Sequence, residues 1–252
     1  MSEPTGRSIG TDDAPLGDAP LRTAEPTASR WEDFIDIFYA PSAVFARRAT
    51  SGFFLPMLVV TVLAGGIYLL NSGVWSQVMD AEMTRSLARQ PQQLTPEQMQ
   101  RVRGVTETMA KVGAFIFMPV GIFLTGLMLW VCGKLVDAKQ SLGQAVMVSA
   151  FAFLPRVVEG LVVSVQGLLL DPSSFDGRWR VSLGIGRFLD PDTTSPALLS
   201  LLGRLDVFTI WVTVLLAIGL AVTGKIPRSR AAVAAAIVWV LGAVPLLLQA
   251  GR

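Results

Sequence analysis

Long apolar runs alternate with short polar ones along this chain, on a scale that suits a bilayer. Apolar residues dominate 52–71, 112–133, 142–170, 197–223 and 231–249. A helix rises about 1.5 Å per residue, so about 20 apolar residues cross a hydrocarbon core about 30 Å thick. The pattern therefore predicts an all-α polytopic membrane bundle with five transmembrane helices.

A shorter period marks residues 31–48. Trp31, Phe34, Ile35 and Phe38 fall at i, i+3, i+4 and i+7, with Glu32, Asp33 and Asp36 off that stripe. This predicts an amphipathic N-terminal interfacial helix, ended or kinked by Pro41. Two placements fit the stripe: flat among the lipid headgroups, or packed on the end of the bundle. Residues 74–111 predict an outer helical hairpin whose second arm opens at a Thr95 cap, with Pro96 next and Gln98 three residues on. Residues 1–30, rich in Ala, Pro, Thr, Gly and Asp, read as a disordered tail, which leaves 31–250 as the membrane domain. That tail lacks the basic and apolar segments of a signal peptide, so the first span is expected to act as an uncleaved anchor.

The connections set an orientation. Arg47, Arg48, Lys134, Lys139, Lys225, Arg228 and Arg230 all fall on one side of a five-span chain. The positive-inside rule puts that side, and the N-terminus, in the cytoplasm and the C-terminus outside. The expected location is integral to a membrane, with the two termini on opposite sides.

Composition narrows the function classes. The chain is 52% hydrophobic and 16% charged, against about a quarter charged in soluble domains. A net charge of +2, with no basic stripe, argues against nucleic acid as a partner. There is no histidine and one cysteine, Cys132. That removes the commonest general base and metal ligand, any Ser-His or Cys-His pair, and an internal disulfide. The single Gly-x-Ser-x-Gly match, Gly6-Arg7-Ser8-Ile9-Gly10, has no histidine anywhere in the chain to activate its serine. A non-enzymatic protein without cofactor or metal is expected, with the lipid bilayer as its first partner.

Four ionisable residues interrupt the apolar runs: Arg156 and Glu159 in the third, Arg204 and Asp206 in the fourth. A charge at the bilayer centre costs about 2.5–3.5 kcal/mol on insertion scales, so each needs a partner or a wet cavity. Counted along antiparallel helices, Arg156 meets Asp206 in depth and Glu159 lies nearer Arg204. Two cross-helix ion pairs are expected. They serve as a structural lock, or as a substrate or proton pathway, or they sit at the interface. Pro155 is expected to kink the third span and free a carbonyl near Phe151. Gly121, Gly126, Gly219 and Gly224 offer sites of close helix approach, at a spacing of five rather than four. A weak internal repeat relates Gly133-Lys134-Leu135 to Gly224-Lys225-Ile226 and Pro155 to Pro245.

Several of these residues also carry a family resemblance. The run Trp31…Phe34…Phe38…Pro41…Phe45 into Phe54-Leu55-Pro56 resembles the entry region of the Yip family of Ypt/Rab-interacting membrane proteins, in its bacterial branch. Ser141-Leu142-Gly143-Gln144-Ala145, Ala150-Phe151 and Leu154-Pro155 are similar to the family's third span. Asp206-Val207-Phe208 with Trp211 and Gly219 is similar to its fourth. The resemblance covers about 31–249 and implies a five-span fold with the N-terminus inside. Eukaryotic members act in vesicle trafficking with lipidated small GTPases, while some bacterial members are thought to accompany export systems. The expected function is a membrane scaffold or accessory protein, with a small-solute or ion transporter as the alternative.

Overall fold

The computed structural model describes residues 29–88, 95–170, 177 and 181–245. The tail expected over 1–30 falls almost wholly outside these residues, as does the end of the fifth apolar run. The described residues form helices joined by turns and short loops, with one isolated bridge between Gly184 and Asp206. Among the described residues ten α-helices run in order: α1 Asp33–Asp36, α2 Pro41–Arg48, α3 Phe54–Leu70, α4 Ser72–Ala88, α5 Pro96–Leu135, α6 Leu142–Ala152, α7 Leu154–Leu169, α8 Pro196–Gly203, α9 Val207–Gly224 and α10 Arg228–Leu241.

Among the described residues, three helical segments are long and apolar enough to cross a membrane: α5, α6 with α7, and α9. The bent pair α3–α4 makes a fourth if it counts as one span. The expected count of five is thus met by three to four. One shortfall is α10, which has 14 described residues, about 21 Å of helix. Another is α3, whose 17 residues turn through 75° into α4 at Asn71. Asn71 donates both its backbone and side-chain N–H to the Ile67 carbonyl, which ends the α3 ladder.

Four predicted elements are redrawn. The outer hairpin over 74–111 is not a unit of its own, because its second arm is the start of α5. The capping box forms as the sequence suggests, with Thr95 accepting from the Gln98 N–H and Gln98 answering back. The helix then runs unbroken for 40 residues through Pro119, about 60 Å and twice the hydrocarbon thickness. The third run splits at Phe153 into α6 and α7, since Pro155 has no N–H to give the Phe151 carbonyl. The fourth run, 197–223, breaks at Arg204-Leu205-Asp206 into α8 and α9. The N-terminal helix is two helices, with Pro41 opening the second rather than ending the first.

The core is formed by α5, α6, α9 and α10, with α3 against α5 to α7 and α2 against α9. Small residues set the closest approaches. A Cβ on Gly126 would lie 2.6 Å from the Val146 Cα, and one on Gly219 would overlap the Val148 side chain. Gly121 faces open space, so the sequence pair Gly121–Gly126 is used at one end only. The α5–α6 and α9–α10 turns each pass through a left-handed residue, Asp137 and Lys225.

These turns are stitched together at one end of the bundle. Lys139 N–H donates to the Gly224 carbonyl at 3.0 Å. Buried Gln140 accepts from the Thr223 hydroxyl at 2.9 Å and points its amide at the Leu129 carbonyl. Gln144 donates to the Ala49 carbonyl at 2.9 Å. The end of α2 and both basic turns therefore share one face of the molecule.

Candidate functional site

The break in the fourth run explains where its charges go. Asp206 is the N-cap of α9 and accepts from the Phe208 and Thr209 N–H groups at 2.9 and 2.8 Å. The Thr209 hydroxyl also donates to it. A carboxylate here satisfies orphan amides and meets the positive end of the helix dipole. Arg204, two residues earlier, donates to the Gly242 and Trp239 carbonyls at the C-terminal end of α10, at 3.1 and 2.8 Å. It also lies over the Trp239 ring. A cation at a helix C-terminus is the mirror of the same electrostatics.

From α7, Arg156 donates to Glu159 at 2.6 Å and to the Thr209 hydroxyl at 2.6 Å, and stands 4.0 Å from Asp206. The structure thus brings Arg156, Glu159, Asp206 and Thr209 together. It does not bring Glu159 to Arg204. The depth count expects Arg156 to approach Asp206, and the two stand 4.0 Å apart. It failed for Arg204 because it assumed an unbroken helix; the break turns that side chain toward the end of α10. Thr209 lies outside the depth count, and it joins the cluster because an Asp at a helix start accepts from the N–H three residues on. Pro155, buried, opens α7 one residue before Arg156.

Arg156 and Glu159 also form the polar edge of a cavity of about 460 Å³ between α3, α4, α5 and α7. Its walls are apolar and aromatic, and include Tyr68 and Trp75, whose rings stack 5.9 Å apart. Among the described residues no group of three or more Asp, Glu or Cys is placed to hold a metal.

A second charged cluster lies in the N-terminal pair. Asp33, fully buried, is held by Arg47 at 2.6 Å and by Arg48, and Arg47 also reaches Asp36 at 2.6 Å. The Asp33 hydrogen bond is the largest influence raising the Arg47 pKa above its ordinary value; burial opposes it and Asp36 reinforces it. Pro41 makes this possible, since folding the chain back there sets residues 33 and 47–48 at one level. The expected apolar stripe is split. Phe34 and Phe38 pack inward, on Phe151 at 5.5 Å and on Trp211 at 5.4 Å. Trp31 and Ile35 are 65% and 63% exposed. Trp211 stands 13 residues before Gly224, about 20 Å along α9 from the basic turn. The pair is therefore a wedge beside α9, which decides for packing over a flat pose.

A sequence model of the Yip1 domain matches residues 35–249, nearly all of the bundle just described. The chain belongs to the Yip1 domain family. It is similar to the membrane protein YknW of Bacillus subtilis, with 28% identity over 222 residues, covering 84% of this chain and 87% of that one. No solved structure matches it. The family and the apolar helices make this an integral membrane protein.

Proposed function

We propose that this Yip-family protein is a non-enzymatic scaffold or accessory protein of the bacterial cytoplasmic membrane, assisting an export system or membrane organisation. The observation that carries this reading is the commitment of the inner charges. Arg156 is taken up by Glu159 and Thr209, Asp206 by the start of α9, and Arg204 by the end of α10. Charges so engaged support helix ends and helix contacts, and a solute would have to displace several bonds to use them. The basic residues of both turns and of α2 share one end of the bundle, which supports an N-terminus in the cytoplasm.

The transporter reading has one observation in its favour, the cavity that reaches Arg156 and Glu159. Two measurements separate the readings. In proteoliposomes the protein should carry no ion or small-solute flux, and Arg156→Gln with Glu159→Gln should change nothing. Flux in the wild type that this double variant abolishes would sink the accessory role. Purified from its own membranes after crosslinking, the protein should hold a stoichiometric membrane-protein partner. Orientation is read by thiol labelling of Lys225→Cys from either side of sealed cells.

A further inference from the structure

A cavity of about 450 Å³ opens between the N-terminal helix pair and the start of α3. Its lining divides by chemistry. Arg30, Arg48 and Ser51 give guanidinium and hydroxyl donors, while Phe34, Phe54 and Phe151 give aromatic surface. We propose that this cavity binds an anionic phospholipid, with the phosphate among the donors and an acyl chain over the aromatic surface.

Three features argue for a lipid. The cavity lies where the chain enters its first apolar helix, at the end of the bundle tied to the basic turns through Gln144 and Ala49. Phosphate groups of a bilayer sit at that level, just outside the hydrocarbon. Arg48 meets Asp33 through Nε, which leaves its two terminal nitrogens as donors, and Arg30 is exposed beside it. Guanidinium groups bind phosphate oxygens through charge-assisted, often forked, hydrogen bonds. The aromatic side does not end in the cavity. Phe54 is 67% exposed and leads to Leu58 and Val62, also exposed, along the open face of α3. A free phosphate would use the donors alone; a phospholipid uses both sides and continues down that face.

Native mass spectrometry of the full chain in mild detergent, titrated with phosphatidylglycerol, tests the site. The first lipid should bind more tightly than later ones, and Arg30→Gln should weaken that first step roughly tenfold, the loss of one charge-assisted contact. Ser51→Ala should weaken it less. Arg30 is exposed, so its variant should keep wild-type tryptophan fluorescence. Arg228→Gln, on the same end but outside the cavity, should leave the first step unchanged. The proposal is overturned if Arg30→Gln binds as well as wild type, if Arg228→Gln weakens binding equally, or if phosphatidylcholine binds as tightly. Displacement of the lipid by an equal concentration of inorganic phosphate would also overturn it, because the site would then read a free anion.

Discussion

Two carboxylates are buried among the described residues, and they are buried for different reasons. Asp33 is held by two arginines from a neighbouring helix, so charge meets charge. Asp206 is held chiefly by backbone amides and a hydroxyl of the helix it starts, with Arg156 at the edge of reach. The difference follows from the backbone. Where α1 and α2 fold against each other with their own ladders formed, the polar groups left to satisfy are side chains. Where the fourth apolar run breaks, the groups left over are the amides of α9 and the carbonyls of α10, and Asp206 and Arg204 answer those. A charge inside a membrane helix can thus mark a broken helix as well as a partner across the bundle.

The largest effect should come from Asp33→Ala. It strands the Arg48 guanidinium and leaves Arg47 with Asp36 alone, and breaking a buried pair costs about 3–5 kcal/mol. Because Arg47 and Arg48 keep some access to water, about 3 kcal/mol is expected here. Unfolding by SDS titration from mild detergent, followed by tryptophan fluorescence, measures it. Replacing all three at once, with Asp33→Leu, Arg47→Met and Arg48→Met, should recover most of the loss. No recovery would mean that the cluster does more than balance itself.

Asp206→Ala should cost about 2 kcal/mol, the sum of a lost cap and unpaired amides. Asn caps nearly as well as Asp, so Asp206→Asn should keep at least half of that. An Asn variant as unstable as the Ala variant would show that charge, and not capping, governs this site. The contrast between the two carboxylates would then collapse.

Much of this is legible in the sequence, and what is not has physical causes. Runs of apolar residues report burial in lipid, and they located α3, α5 to α7, α9 and α10. They say little about helix continuity, because Leu and Val look alike on either side of a break. Residues 197–223 read as one span, although Arg204-Leu205-Asp206 carries a helix end and a helix cap within three residues. Pro119, by contrast, lies inside α5 without ending it. The Asp33 cluster was hidden for another reason. Its partners are 14 and 15 residues away, and only the fold-back at Pro41 makes them neighbours. Gly219 was picked out for close packing, yet the partner it admits, Val148 on α6, is a tertiary fact.

Arg204→Met sharpens the picture at the other helix end. Two N–H donors to the α10 carbonyls are lost, against a guanidinium whose Nε is buried with no hydrogen-bond partner among the described residues. That orphaned donor already costs stability, so the net loss should be about 1 kcal/mol, below the sum of two hydrogen bonds. The same SDS titration reads it. The C-terminal end of α10 should loosen first, seen as faster amide hydrogen exchange at Trp239 and Gly242. Exchange that speeds up at Glu159 instead would revive the cross-pair that the depth count suggested.

Glu159→Gln should have the smallest effect, under about 1 kcal/mol, and it is the sharpest test of what the inner cluster is for. Glu159 pairs with Arg156 within one helix, at i and i+3, and both side chains are about a quarter exposed, at 23% and 29%. A glutamine at this position keeps a side-chain oxygen that can accept from Arg156, so little of the contact is lost. Arg156 also keeps Thr209, with Asp206 at 4.0 Å, when Glu159 is neutral. Of the four inner charges, Glu159 therefore contributes least to holding the fold, and it lines the cavity behind Tyr68 and Trp75. If Glu159→Gln leaves stability and every assay of the protein unchanged, all the inner charges serve the architecture. If stability holds while export or membrane organisation in cells fails, the cavity edge has a role that the helix ends do not share. The line between structure and function would then run between Arg156 and Glu159, inside a single ion pair.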